Sequence, residues 1–132
     1  MLGFFRRGEK KEEKEHVKTA AIMSELEKIC GDDKETYEAL RYTMFLDPRK
    51  VGVPLDEAAE NARRLETEKN PSRARIWYDI AGGLAIYEGN ARKVVEFFGQ
   101  SEKLSGMKYP ILKRAEKAVA TAQEYYEKNL KA

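Results

Sequence analysis

Apolar residues along this chain recur at three- and four-residue intervals, and no stretch alternates with the two-residue period of a strand. Read in order, the pattern predicts six helices. A mixed charge run, Lys10 to Glu15, opens the first, which continues through Val17, Ala21, Ile22, Leu26 and Ile29 until Gly31 stops it. Asp32 and Glu35 have the spacing of a capping pair for the second helix. That helix carries Tyr37, Leu40 and Met44 on one face and ends near Asp47–Pro48. Arg49 to Val53 forms a connector whose valines pack down. The third helix starts near Pro54 with the stripe Leu55, Ala58, Ala59, Ala62 and Leu65, where alanines admit a close neighbour. Asn70 caps the fourth, with Pro71 at its first position, and this helix runs to about Glu88. The fifth spans Ala91 to Leu104, and the sixth begins near Pro110 and continues almost to the last residue.

The fourth helix is apolar on two sides. Trp77, Ile80, Leu84 and Tyr87 form one face, and Tyr78, Ala81, Gly82 and Ala85 form another, the pattern of a helix with neighbours on both flanks. Gly82–Gly83 in its interior costs about 1 kcal/mol per residue relative to alanine. Close approach of a neighbouring element offsets that cost most simply; a ligand against the bare backbone is the alternative.

Length and composition narrow the class. The first eight residues read as a flexible tail and residues 9–132 as a single all-α domain, large enough to bury a core without metals or disulfides. Hydrophobic residues at 42% alongside 36% charged residues predict a soluble, folded chain, and no apolar run reaches the length of a membrane span. Met1-Leu2-Gly3-Phe4-Phe5-Arg6-Arg7 has its apolar residues before its charges and is too short for a secretory signal. The single Cys30 leaves no internal disulfide, fits a reducing, cytoplasmic setting, and sits where a small core residue belongs. Abundant Lys, Arg and Glu with few amides resemble proteins of hot habitats.

The hairpin formed by the fourth and fifth helices resembles the tetratricopeptide repeat. That family places a large residue, Leu-Gly and Tyr on its first helix, and Ala, an aromatic and Ala on its second. Here Trp77, Ile80-Ala81 and Leu84 occupy the first set, and Val94, Phe98 and Ser101 the second, with one extra residue in the turn near Glu88. Leu112, Ala115 and Val119 repeat the first-helix pattern where a capping helix would stand. The match covers one and a half repeats, Trp77 to Tyr126. It departs at the family's tight-packing glycine, which is alanine here, and at the proline between repeats, near whose place Gly106 stands. The resemblance implies stacked antiparallel hairpins in the C-terminal half; an irregular helical bundle is the alternative.

The resemblance also implies a concave groove lined by the first helices. Carried onto this chain, its residues are Arg75, Tyr78, Gly82 and Ala85, with Lys113 and Lys117 from the sixth helix. Cations beside a floor of tyrosine and small residues suit a protein partner, in particular an acidic peptide. The expected role is therefore a non-enzymatic protein-interaction module. The alternative is a small helical nucleic-acid-binding subunit, with Arg63, Arg64, Arg73, Arg75, Arg92 and Lys93 as its patch and Tyr78 or Tyr87 stacking on bases. A net charge of +2 is low for that role. The segment Met1 to Arg7 could touch an anionic membrane surface, or bind a second copy to build a homo-oligomer.

Catalytic chemistry is thin in the sequence. His16 is the one histidine and sits in the charged run, which argues against a metal site or a buried triad. Ala81-Gly82-Gly83 lies in a helix and lacks the Lys-Ser/Thr of a phosphate loop. Glu12, Glu13, Glu25, Glu27, Glu57 and Glu60 belong to no apolar stripe that would shift their pKa, so they read as surface partners of nearby lysines. No enzyme, metal or cofactor is expected.

Overall fold

The computed structural model describes residues 25–130. The N-terminal tail, the charge run with His16, and the Val17, Ala21 and Ile22 part of the first stripe lie outside the described residues. Within them the protein is all-helical, with no strand. Residues 25–30 are helical (α1). Then follow α2 (Lys34–Thr43), a 3-10 turn (Pro48–Lys50), α3 (Leu55–Thr67), α4 (Pro71–Glu88), α5 (Ala91–Ser105), a second 3-10 turn (Pro110–Lys113) and α6 (Ala115–Asn129).

The ends of these helices follow from local chemistry. Gly31 at φ +60° ends α1, and Gly89 and Gly106, at φ +76° and +73°, end α4 and α5 in the left-handed conformation that costs glycine little. The side chains of Asn70 and Asn90 accept from the backbone N–H groups of Arg73 and Lys93 and cap α4 and α5. The cap of α2 is Asp33 rather than Asp32. Its carboxylate accepts from the Thr36 N–H at 3.1 Å and from the Thr36 hydroxyl at 2.6 Å. Asp33 also gathers Arg114 and Lys117 from across the molecule, and this selects it over its neighbour.

Short connections make α3, α4 and α5 consecutive antiparallel neighbours, and α4 forms its largest interfaces with these two. All five residues of the α3 stripe are buried, as are Val94, Phe98 and Ser101 on α5. On α2 the buried face is Thr36, Ala39, Leu40 and Thr43, while Tyr37 is only partly covered. The threonines tolerate burial because each hydroxyl donates locally, Thr36 to Asp33 and Thr43 to the Ala39 carbonyl at 2.6 Å. Hydropathy alone passes over such residues.

The double glycine is explained by two aromatic rings. A methyl group added at Gly82 would stand 2.6 Å from the ring of Phe98 on α5, and one at Gly83 would collide with the ring of Phe45 in the α2–α3 connector. The rings come so close to the helix backbone that a side chain at either glycine would displace them. Close packing, and not a ligand, occupies this space.

The sixth helix does not begin at Pro110. The chain makes a 3-10 turn through Lys113, leaves helical geometry at Arg114 (φ −148°, ψ 37°), and only then enters α6. Leu112 and Ala115 therefore do not share one helix, which corrects the expected repeat of the first-helix pattern there. Beyond the break, α6 packs on α2, α4 and α5. The Gln123 amide donates to the Ile86 and Tyr87 carbonyls at 2.7 and 2.9 Å, and the buried Tyr126 hydroxyl donates to the Phe45 carbonyl at 2.9 Å. These bonds fix α6 against the end of α4 and the connector.

Candidate interaction surface

The groove expected along the inner face of α4 is filled. Tyr78 is only 4% exposed, its ring beside Phe97, and its hydroxyl donates to Glu66 at 2.6 Å. Gly82 lies under Phe98 and Ala85 has no exposure. Tyr78 and Gly82 are interior because α3 and α5 supply their partners, Glu66 for Tyr78 and the Phe98 ring for Gly82. Burial, then the bond to Glu66, pushes the Tyr78 hydroxyl up to about 12. That holds the phenol neutral at ordinary pH.

The cations assigned to that groove are dispersed. Arg75 pairs with Asp79 at 3.4 Å and lines a surface cleft with Ile76 and Met107. Lys117 pairs with Asp33 at 2.7 Å. Lys113 lines a different cleft, described below. Of the residues assigned to nucleic acid, Arg63 and Lys93 line one cleft, but Asp56, Glu60 and Glu96 line it with them. Arg63 pairs with Glu96 at 3.9 Å and Arg64 with Glu68 at 3.8 Å, while Arg73 and Arg92 are exposed on their own helices. Tyr78 has no face for a base, and Tyr87 is partly buried with its ring edge-on to Tyr126 at 5.0 Å.

What the fold does build is a surface cleft of about 640 Å³ between α2, the end of α5 and the second 3-10 turn. Its floor is Tyr109, Pro110 and Leu112. Tyr109 is held from three sides: its N–H donates to Glu102 at 2.9 Å, its hydroxyl donates to Asp79 at 2.9 Å, and its ring lies 5.6 Å from that of Phe98. Burial and the bond to Asp79 both raise its pKa.

The back of the cleft is a charge-assisted clamp. Arg114 donates to Asp33 at 3.1 Å, to the Thr36 hydroxyl at 3.2 Å, and to Glu35. Hydrogen bonds from Lys117 first, then from Thr36, hold the Asp33 carboxyl far below the usual carboxylate range. A guanidinium serving three acceptors ties the turn before α6 to the start of α2.

The rim is asymmetric in charge. Glu35 pairs with Arg114, Glu38 with Arg41 at 3.5 Å, and Glu102 accepts from the Tyr109 N–H. Lys34, Lys108 and Lys113 are exposed and make no ion pair with any described residue. Of the cleft residues, the sequence marked Lys113 as a partner contact and Leu112 as part of a repeated first-helix pattern, and did not mark Lys34, Lys108, Tyr109 or Arg114. The break between Gly106 and Pro110 was the available signal for Lys108 and Tyr109; none pointed to Arg114. Among the described residues no cluster of His, Cys, Asp or Glu could hold a metal ion, and no helix is long and apolar enough to cross a membrane. Cys30 is partly buried, and burial raises its thiol pKa.

No family model matches the chain, and no solved structure matches it. The chain is similar to uncharacterized protein KIAA0232 of Homo sapiens, at 29% identity over 111 residues. The matched region makes up 77% of this chain and 8% of that protein, so the chain spans a small part of its relative's length.

Proposed function

We propose that this protein is a non-enzymatic protein-interaction module, and that its cleft between α2 and the second 3-10 turn receives a segment of a partner. The observation that carries this reading is the cleft itself: an apolar floor held rigid by Tyr109 and by the Arg114 clamp, with charged groups at its rim. A rigid concave surface with few polar anchors suits recognition of a chain segment, since little ordering is required on binding. The burial of Val94, Phe98 and Ser101 against α4 supports a tetratricopeptide-like hairpin as the scaffold. The partner surface in this reading lies beside the hairpin, because α4's inner face is occupied. The lone thiol Cys30 supports a cytoplasmic setting.

Panning the full chain against a displayed library of random peptides tests the proposal. Enriched peptides are expected to share a consensus and to slow amide exchange in residues 34–38 and 108–114. Enrichment of nothing, or protection confined to another surface, overturns it.

A further inference from the structure

From the charge state of the cleft rim, and resting on the reading just given, we infer that the occupant is an acidic segment with an apolar residue between its carboxylates. Two carboxylates at the cleft are held in ion pairs, Glu35 with Arg114 and Glu38 with Arg41, while Glu102 accepts the neutral Tyr109 N–H and keeps its charge. The cations Lys34, Lys108 and Lys113 are not engaged by any described residue. Three unpaired lysines against the one uncompensated carboxylate of Glu102 leave the cleft net positive for a partner, although it contains both signs. Lys34 comes from the first turn of α2, Lys108 from the loop after α5, and Lys113 from the last residue of the 3-10 turn. They approach the apolar floor from separate elements. An occupant with a single charge would satisfy only one of them.

The clamp contributes to this selectivity. Arg114 and Lys117 neutralise Asp33 and Glu35, which would otherwise repel an incoming acidic chain from the back wall. Tyr109, Pro110 and Leu112 offer apolar contact within the same lining. A partner carboxylate thus meets lysines at the rim, and an apolar side chain beside it meets the floor. Lysines at exposed positions steer encounter and fix register more than they deepen affinity, so binding weakens steeply with salt.

The test uses the full chain and three fluorescent peptides of equal length: alternating Glu and Leu, alternating Lys and Leu, and alternating Ser and Leu. Anisotropy is followed as salt is raised. The Glu–Leu peptide is expected to bind tightest at low salt. The variant K34E/K108E/K113E is expected to weaken it about tenfold or more, from three partly exposed pairs lost together. K93E, in the cleft shared with Arg63, is the control and should change nothing. Circular dichroism melts confirm that the variants fold.

Two failures differ. If library panning yields peptides that protect residues 108–114 but are neutral or basic, the acidic inference is wrong and the interaction-module reading survives. If no peptide binds by any measurement, both fall. Equal binding of the Glu–Leu peptide to the wild type and to the triple variant also overturns the inference. So does a preference for an oligonucleotide over the Glu–Leu peptide at matched charge.

Discussion

Gly82→Ala sets two physical effects against each other. Alanine in place of glycine inside a helix is favourable by about 1 kcal/mol through backbone entropy. In this fold the new methyl group would stand 2.6 Å from two atoms of the Phe98 ring, about 1 Å short of a normal carbon–carbon contact. The ring has little room to retreat, since Phe98 is 1% exposed and packs against the Tyr109 ring at 5.6 Å. Overpacking of this kind costs about 1–3 kcal/mol. The difference leaves Gly82→Ala destabilising by about 1 kcal/mol, equivalent to roughly 4 °C in Tm for a domain of this size. Urea unfolding, followed by circular dichroism and by the fluorescence of the single Trp77, measures it. Phe98→Leu removes the colliding ring, so the double variant Gly82→Ala/Phe98→Leu should lose about 2 kcal/mol less than the sum of its parts, the overpacking cost being relieved. A Gly82→Ala protein that is more stable than wild type, with additive behaviour in the double variant, would refute the close approach of Phe98 to the α4 backbone.

Two further outcomes follow from the caps and the buried phenol. Asn90→Ala removes the side-chain acceptor of the Lys93 N–H at the start of α5, and should cost about 1 kcal/mol in chemical denaturation, with Asn90→Ser restoring most of it. Tyr78 has its pKa raised to about 12 in the folded protein against an ordinary value near 10, so its neutral form is favoured by folding. Its contribution to stability is complete below about pH 10 and is lost as pH rises toward 12. Tyr78→Phe should therefore flatten the loss of stability on that alkaline limb, as read by denaturation at pH 9 and pH 11.

Much of the fold was legible along the chain. The α3 stripe, the Asn70 cap and the bounds of α4 and α5 could be read from local pattern. Each depends on interactions within one helix or its own cap, and those are written at fixed sequence spacing. The register of α2's cap was off by one residue. Asp32 and Asp33 are equivalent locally, and the choice between them is made by Arg114 and Lys117, more than eighty residues later in the chain. The unbroken sixth helix was wrong for a related reason: the backbone leaves helical geometry at Arg114, the residue that reaches across to α2.

The candidate site divides in the same way. Periodicity identified Tyr78, Gly82 and Ala85 as a shared face, and they do share one, but periodicity could not say whether that face meets solvent or another helix. Composition supplied the cations without their partners. Hydropathy and capping signals determined that this chain is helical, and where most helices start and stop, because those forces act within a few residues. Which face is covered, which lysines stay unpaired, and where a cleft opens were decided by tertiary packing. Those outcomes depend on side chains brought together from α2, α5 and the turn before α6, a juxtaposition that no sequence interval encodes.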